Sequence, residues 1–199
     1  MTKNRYQLKK KVIICISGMA GCGKSTTAKK IAKKYKLCYF SGGNALKTLA
    51  LETGYKPVER GWWESQEGMK FLKKRTQKSS FDKEVDKKLL EWAKQGNVVL
   101  DSWTMPWLLK RKSFKIWLEA SPEVRAKRIA KRDKISIEKA RKVLKEKDTK
   151  TNVIYKELYG FDHGDDFSPF DLILDVNDLN PKEVFQTLSL AIDRLVYGT

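Results

Sequence analysis

The stretch Gly18-Met19-Ala20-Gly21-Cys22-Gly23-Lys24-Ser25 decides how the rest of the chain is interpreted, because it fits the pattern G-x-x-x-x-G-K-[ST] of a phosphate-binding loop. Its context supports the match. Residues 12–16, Val-Ile-Ile-Cys-Ile, form an apolar run typical of a buried parallel strand. Residues 26–35 then carry apolar side chains at helical spacing, with lysines between them. A strand before the motif and a helix after it predict a phosphate-binding loop at the end of a strand.

The residue types of this motif suit the binding of phosphate groups. Gly18, Gly21 and Gly23 allow positive φ values, so that successive backbone N–H groups can surround phosphate oxygens at a helix N-terminus. Lys24 is predicted to extend toward the β- and γ-phosphates of a nucleotide, and the Ser25 hydroxyl is predicted to be a ligand of Mg²⁺. An ordinary glycine-rich turn is the alternative, and the flanking strand and helix argue against it.

Composition indicates one intracellular globular protein. The 199 residues are 41% hydrophobic and 33% charged, which suits a single sizeable core. No apolar run of about 18 residues is present to span a membrane. Residues 1–11 are basic but lack the hydrophobic segment of a secretory signal, so a cytoplasmic location is expected. Cys15, Cys22 and Cys38 have neither metal-type nor redox spacing, which predicts reduced thiols.

The chain is strongly basic. Its 42 Lys and Arg residues against 24 Asp and Glu residues give a formal net charge of +18, which suggests polyanionic partners. The lysines are scattered along helices and form no single tract, so a role in solubility or in stability at high temperature is an equal explanation. RNA is therefore an alternative partner that the sequence does not favour over small molecules.

The order of predicted elements indicates an α/β fold. Five short apolar segments predict strands, at residues 12–16, 37–40, 97–101, 114–118 and 171–176. They alternate with helical patterns, at residues 26–35, 45–52, 81–94, 121–132, 136–156 and 181–196. This alternation predicts a three-layer sandwich around a five-stranded parallel sheet, with the ligand at the carboxyl ends of the strands.

Two segments are predicted to lie outside the central layers. Residues 60–80 are polar and basic with interspersed aromatic side chains, which suggests a mobile helical subdomain more than a core layer. Residues 136–156 form a highly charged helical pattern without an obvious apolar face, as expected of an exposed lid. Because residues 41–95 are too many for a simple crossover between strands, we expect an acceptor-binding insertion there.

Polar residues near the predicted strand ends are candidates for chemistry. Asp101 ends the third predicted strand, where a carboxylate can organise Mg²⁺; a capping Asp in the following turn is the alternative. Arg125, Arg128 and Arg132 are three and four residues apart and share one helix face. They form either a solvated basic face or a set of guanidinium groups that face phosphate. The single histidine, His163, is interpreted as a loop residue and not as a general base.

With these segments in order, the chain resembles the nucleoside monophosphate kinases of the P-loop superfamily, and most closely the archaeal-type cytidylate kinases. The resemblance covers nearly the whole length and is carried by residues 16–26, 41–43 with the helix after them, 82–86, 96–101, 123–132 and 155–162. It implies a single P-loop kinase domain over residues 1–199. The implied parts are a core of residues 11–40, 96–124 and 170–199, an acceptor-binding insertion at residues 41–95, and a small lid at residues 125–165.

The resemblance also implies an activity and a set of site residues. The family transfers a phosphoryl group from ATP to CMP or dCMP with Mg²⁺, mainly by positioning and charge neutralisation. The implied ATP-binding residues are Gly18, Met19, Ala20, Gly21, Cys22, Gly23, Lys24, Ser25 and Thr26. The implied catalytic residues are Lys24, Asp101, Arg128 and Arg132, and the implied Mg²⁺ ligands are Ser25 and Asp101. Acceptor binding is assigned to Ser41, Lys47, Asp101 and Trp103, and the lid to Arg125, Arg128, Arg132 and Lys147. A monomer that acts on small nucleotides is expected.

Three departures from the family pattern fall on the acceptor side. Lys47 stands where an Arg is usual, which keeps the charge but loses bidentate phosphate binding. Asp101-Ser102-Trp103 stands where Glu-Gly-Arg is usual, so an indole replaces a phosphate-binding Arg. Lys147 and Ile154 occupy positions where arginines are expected. ATP binding is therefore better supported than specificity for CMP.

Two alternatives remain open at this point. The chain is either a cytidylate kinase or a kinase for another nucleotide or small hydroxylated substrate, with Trp103 stacking on a ring. From a different class, an RNA-binding P-loop protein that uses ATP as a switch would account for the basic charge and the tryptophans.

Overall fold

A computed structural model describes residues 11–58, 61–78 and 80–199; the basic segment at residues 1–10 and Arg60 lie outside these ranges. Its sheet has five parallel strands in the order β2-β3-β1-β4-β5, which confirms the predicted fold class. The strands are β1 (Ile13–Ser17), β2 (Cys38–Ser41), β3 (Val98–Asp101), β4 (Phe114–Glu119) and β5 (Leu172–Asp175). In the sheet register Asp101 lies opposite both Ile16 and Ser41, so three strand ends meet at one edge.

Helices connect the strands and cover both faces of the sheet. They are α1 (Lys24–Tyr35), α2 (Gly42–Glu52), α3 (Gln66–Gln77), α4 (Ser80–Gln95), α5 (Met105–Leu108), α6 (Pro122–Asp133), α7 (Ile137–Tyr159) and α8 (Pro181–Ile192). A 3₁₀ turn at Trp62–Glu64 precedes α3, and a π-helical turn at Asp193–Tyr197 follows α8. Most predicted boundaries differ from these by one to three residues, as is usual at helix and strand ends.

The two faces of β1 pack into separate halves of the core. Ile14 and Ile16 lie in a cluster with buried side chains of α1 and α8. Ile13 and Cys15 lie in a second cluster with side chains of α2, α3, α4 and α5. Because successive side chains of a strand point to opposite faces, this alternation produces three layers of helix, sheet and helix.

The segment after α2 packs in the core, so the prediction that it lies outside the core layers was wrong, while its mobility stays a prediction. Trp62 is only 1% exposed, and Phe71 on α3 is fully buried. The rings of Phe71 and Phe81 lie 5.5 Å apart, which joins α3 to α4. Phe71 and Leu72 are buried in α3 while its lysines are at least partly exposed, and the high charge of the segment hid this pattern.

Helix α7 also has a core face, which the sequence pattern did not show, and its assignment to the lid stays a prediction. Its buried residues recur at helical spacing and are Ala140, Leu144, Lys147, Thr151, Ile154 and Tyr155. The face packs against α6 and α3. Lys147 and Thr151 interrupt the apolar stripe, which is why the sequence pattern did not reveal it.

At the other end of the chain, the predicted terminal helix is shorter than expected. The α-helical part ends at Ile192, and Leu195, predicted as a core position, is 65% exposed in the π-helical turn. Across the described residues, none of the helices combines the length and the apolar character that a membrane span requires.

Candidate active site

The loop between β1 and α1 has the backbone of a phosphate cradle. Gly18, Gly21 and Gly23 all have positive φ values, of 140°, 87° and 103°, as predicted. Gly18 also has no room for a side chain, because a Cβ atom there would lie 2.4 Å from the carbonyl oxygen of Leu118. The loop therefore passes directly over the end of β4, and the N-terminus of α1 points its free N–H groups into the space above the sheet.

Lys24 and Ser25 stand at the start of α1, where the motif predicts them. The Lys24 ammonium donates a hydrogen bond to the Met19 carbonyl oxygen at 2.9 Å and lies 5.4 Å from the centroid of the Trp103 ring. A cation and free helix N–H groups at one point form a donor set that suits phosphate oxygens. The residues present therefore fit a nucleotide polyphosphate.

Two of the three arginines of α6 donate hydrogen bonds to backbone carbonyl oxygens of the loop. Arg125 is buried, and its guanidinium donates to the Ala20 carbonyl oxygen and to Asp148. Arg128 donates to the carbonyl oxygens of Cys22, Val176 and Leu179. These contacts fasten the loop to α7 and to the β5–α8 connection. The catalytic role implied for Arg128 stays a prediction, and its contacts indicate a positioning role.

One cavity opens on the α8 side of the loop, which we call the α8-side cavity. Its walls are the loop and the first turn of α1, together with residues of α6 and of the start of α8. The lining residues are Gly21, Cys22, Gly23, Lys24, Ser25, Thr26, Thr27, Arg128, Ile129, Arg132, Leu179, Asn180, Pro181 and Val184.

A second cavity, the α4-side cavity, opens on the opposite side of the same loop. It brings together nine of the predicted site residues, which are Ala20, Gly21, Lys24, Ser25, Ser41, Asp101, Trp103, Arg132 and Lys147. Lys47 is not among the lining residues, and its ammonium donates to the Val58 carbonyl oxygen at 2.8 Å. Arg125 does not line either cavity. Because Lys24, Ser25 and Arg132 line both cavities, ligands in the two would meet at the loop.

Asp101 and Ser25 supply oxygen atoms at this meeting point. Asp101 accepts a hydrogen bond from the Tyr39 hydroxyl at 2.9 Å. Burial of the Tyr39 hydroxyl and its closeness to the Asp101 carboxylate raise the pKa of Tyr39, so this hydroxyl stays protonated and donating. A carboxylate and a hydroxyl are ligand types that suit Mg²⁺. Both residues line the α4-side cavity, so their donor types are those that a magnesium ion would need there.

The floor of the α4-side cavity is a buried polar network that the sequence analysis did not identify. Arg75 donates two hydrogen bonds to Asp82, and both side chains are almost fully buried. Asp86 accepts hydrogen bonds from the hydroxyls of Thr104 and Tyr159. The available signal was two carboxylates four residues apart on the otherwise apolar face of α4, where an unpaired acid would be costly.

The network shifts the acid–base behaviour of Asp86. Burial raises the pKa of the Asp86 carboxyl from 3.8 to about 6, against the opposing effect of its two hydrogen bonds. The nearby Asp82 carboxylate raises it further, and Arg75 lowers it. Near neutral pH the cavity floor therefore presents a carboxylate that is held in place but close to protonation.

A second unpredicted group surrounds Lys147 on the opposite wall. The Lys147 ammonium lies 2.9 Å from a carboxylate oxygen of Glu64, and the other oxygen of Glu64 lies 2.7 Å from Arg132. The ring centroids of Trp63 and Trp103 lie 5.5 and 6.0 Å from the same ammonium. Glu64 and Trp63 come from the segment that was expected to be mobile, so the sequence offered no reason to place them here.

His163 supports Trp103 and is not placed to act on a ligand. Its ring is buried against Trp103, Trp107, Trp117 and Tyr155. Burial, together with the positive charges of nearby side chains, lowers the pKa of His163 to about 3. The imidazole is therefore neutral at ordinary pH, and neither cavity is lined by it.

Solved structures of two kinases have a similar architecture. The chain superposes on shikimate kinase from Bacteroides thetaiotaomicron with a TM-score of 0.57 at 16% identity, covering 94% of this chain and 98% of the other. It superposes on a gluconokinase from Sinorhizobium meliloti with a TM-score of 0.52 at 14% identity, covering 94% of each chain. At such identities the similarity concerns the fold, which is that of P-loop kinases.

Sequence comparison is more specific. The chain is 37% identical to the cytidylate kinase of Pyrococcus horikoshii over 94% of its own length and 91% of the relative's. It is also 37% identical to the cytidylate kinase of Methanocaldococcus jannaschii, over 92% and 99% of the two lengths. The family model described as cytidylate kinase-like matches residues 13–178. The chain therefore belongs to the cytidylate kinase-like family and is a kinase.

Proposed function

We propose that this chain transfers the γ-phosphoryl group of ATP to CMP or dCMP in the presence of Mg²⁺, giving ADP and CDP or dCDP. The observation that carries the proposal is the pair of cavities that share Lys24, Ser25 and Arg132. Two nucleotides bound on opposite sides of the loop would bring the γ-phosphate and the acceptor phosphate together at these residues. Two relatives that match over nearly the whole chain carry the name cytidylate kinase, which supports the choice of acceptor.

The α8-side cavity is proposed to hold ATP. The N–H groups of the loop and of the first turn of α1 would hold its phosphates, and Lys24 would neutralise the β- and γ-phosphates. Ser25 and Asp101 would hold Mg²⁺, which supplies charge neutralisation between the phosphates. Arg128 keeps the β5–α8 connection against the loop through the Leu179 and Cys22 carbonyl oxygens, and so shapes the far wall of the cavity.

The α4-side cavity is proposed to hold the acceptor. Its floor offers guanidinium donors from Arg75 and carboxylate acceptors from Asp82 and Asp86. The edge of cytosine carries acceptors at O2 and N3 and a donor at its N4 amino group, so it matches both kinds of group. Uracil has an oxygen where cytosine has the amino group, and that oxygen would face a carboxylate without a proton between them.

Positioning and charge account for the proposed reaction. An oxygen of the acceptor phosphate forms a bond to the γ-phosphorus while the bond to the β–γ bridging oxygen breaks, and ADP leaves with that oxygen. No side chain need accept a proton, because the acceptor phosphate is already ionised near neutral pH. Arg132 lines both cavities and would stabilise the charge that spreads over the transferring group.

The proposal is tested by measuring ADP release from ATP and Mg²⁺ with CMP, dCMP, UMP, AMP, GMP or RNA offered separately. We expect CMP or dCMP to stimulate release, and Lys24→Ala to reduce the stimulated rate by about 100-fold or more. Lys142→Ala is the matched control, because it removes an exposed lysine from α7. Stimulation by none of the monophosphates would overturn the acceptor class, and stimulation by UMP in preference to CMP would overturn the role given to the carboxylates.

A further inference from the structure

We infer that Lys147 holds the phosphate group of the acceptor, and that Trp63, Glu64 and Trp103 are positioning residues that fix its ammonium for this task. The inference rests on the proposed function, because it requires a phosphorylated acceptor in the α4-side cavity. It assigns the phosphate-holding role to one cation on a side of the cavity where the arginines of the family pattern are missing.

The first argument is the way Lys147 is held. It stands on the buried face of α7 and is only 8% exposed, yet it lines the cavity. Its ammonium lies between two indole rings, at 5.5 Å from the Trp63 centroid and 6.0 Å from the Trp103 centroid, within the range of cation–π attraction. Glu64 pairs with it at 2.9 Å. A flexible lysine is thus fixed by groups from two separate parts of the chain.

The second argument is the hydrogen-bonding capacity that is left. An ammonium has three N–H donors, and the indole faces accept none of them in the conventional sense. Over residues 11–58, 61–78 and 80–199, Glu64 is the one hydrogen-bond acceptor found for Lys147. Two donors therefore remain for a ligand that enters the cavity, and phosphate oxygens are suitable acceptors.

The third argument is charge. The Glu64 carboxylate is shared between Lys147 and Arg132, and Arg132 is also paired with Asp133. Burial lowers the pKa of Lys147, and the charges of Lys24 and Arg132 lower it further while Glu64 raises it. An anionic ligand beside the Lys147 ammonium would offset its burial and the repulsion from Lys24 and Arg132, which makes the site complementary to phosphate.

The fourth argument is location relative to the loop. The ammonium groups of Lys24 and Lys147 lie 5.4 and 6.0 Å from the centroid of the same Trp103 ring. A phosphate bound at Lys147 would therefore lie beside the γ-phosphate that Lys24 is proposed to contact. The indole at position 103, where an Arg was expected, would then contact both lysines that hold phosphate groups.

The decisive experiment compares an acceptor that has a phosphate with one that lacks it. Isothermal titration would measure the binding of CMP and of cytidine to the wild type, to Lys147→Met and to Lys145→Met, which removes an exposed lysine of the same helix. We expect Lys147→Met to weaken CMP binding by about 10- to 100-fold and to leave cytidine binding unchanged. The control should bind both ligands as the wild type does.

The positioning residues are tested by conservative replacement. Trp103→Leu should weaken CMP binding several-fold with cytidine unchanged, and Trp103→Phe should recover most of the loss because it restores a ring face. Glu64→Gln should also weaken CMP binding, since it removes the carboxylate that orients the ammonium. If Lys147→Met does not fold, the Glu64→Gln, Lys147→Met double variant removes both partners of the buried pair and carries the same expectation.

The outcomes separate the two proposals. Equal CMP affinity in the wild type and Lys147→Met overturns this inference and leaves the proposed function intact. Equal losses of CMP and cytidine binding also overturn it, because they would show that Lys147 shapes the cavity and does not hold phosphate. Failure of the wild type to bind either CMP or dCMP overturns the proposed function and this inference with it.

Discussion

At the scale of single residues, two separate constraints can require glycine in the loop. One is a positive φ, and the other is the lack of room for a Cβ atom. Gly18 has a φ of 140°, and a Cβ atom there would meet the Leu118 carbonyl oxygen at 2.4 Å. Gly54 also has a positive φ, of 89°, but nothing lies within 4 Å of its Cβ position. The two glycines therefore separate the effect of backbone conformation from the effect of a backbone clash.

From this difference we predict that Gly18→Ala lowers the free energy of unfolding by about 3 kcal/mol or more, because strain and overlap add. Gly54→Ala should cost only about 1 kcal/mol, from strain alone. Urea unfolding of the two variants measures both values. Similar losses at the two positions would show that the approach of Leu118 does not constrain the loop.

Asp86 is a residue whose burial should appear in the pH dependence of stability. Its pKa is about 6 in the folded protein, against 3.8 for the ordinary carboxyl group. The folded state therefore binds the proton more tightly than the unfolded state does. This stabilising contribution is complete below pH 3.8 and is lost as the pH rises through about 6.

We accordingly predict that the unfolding free energy of Asp86→Asn, relative to the wild type, rises by about 3 kcal/mol between pH 4 and pH 7.5. The comparison cancels the contributions of other titrating groups that both proteins share. Urea unfolding at four or five pH values provides the measurement. A difference that does not change with pH would mean that the Asp86 carboxyl titrates near its ordinary value.

At the scale of elements, α7 shows how a charged residue that lines a cavity can be embedded in a packing face. Leu144 and Tyr155 are buried on the same face as Lys147, one to two turns away on either side. The face packs on α6, which carries Arg132, and on α3, which carries Arg75. Packing of this face therefore determines the positions of Lys147, Arg132 and Arg75 relative to the phosphate-binding loop.

The packing of α7 predicts that Leu144→Ala lowers the free energy of unfolding by about 2–5 kcal/mol, since it opens a cavity against α6. Val153→Ala is the matched control, because Val153 is 46% exposed on the same helix. Its effect should be below about 1 kcal/mol. Equal and small effects at both positions would indicate that α7 is an exposed lid helix after all.

At the scale of the whole molecule, sequence patterns predict local parts well and long-range assembly poorly. The strand β1, the loop and α1 follow one another without interruption, so a motif and a period are enough to place them. The cavity floor joins Arg75 of α3 to Asp82 of α4, and Asp86 of α4 to Thr104 and Tyr159. No sequence spacing encodes these contacts, because they depend on how separate helices pack.

The same reason limits what the sequence reveals about the candidate site. Lys47 occupies the family position of an acceptor-side cation, yet its ammonium contacts the Val58 carbonyl oxygen outside the cavity lining. Lys147 stands out in the sequence only through the family pattern, and its burial beside Glu64 is visible only in the fold. Because lysines are abundant along the chain, the sequence does not distinguish a lysine that lines the cavity from one on the surface. Burial and ion pairing in the folded chain make that distinction.

This abundance of lysine also has a consequence for the stability of the molecule as a whole. A formal charge of +18 makes the compact state self-repelling, and salt screens that repulsion. We predict that raising NaCl from 0.02 to about 0.3 M increases the midpoint of thermal unfolding by roughly 2–4 °C, which corresponds to about 1 kcal/mol. The rise should level off at higher salt, because the Debye length is then already below about 6 Å. A midpoint that falls, or that rises steadily into the molar range, would show that charge repulsion does not limit stability.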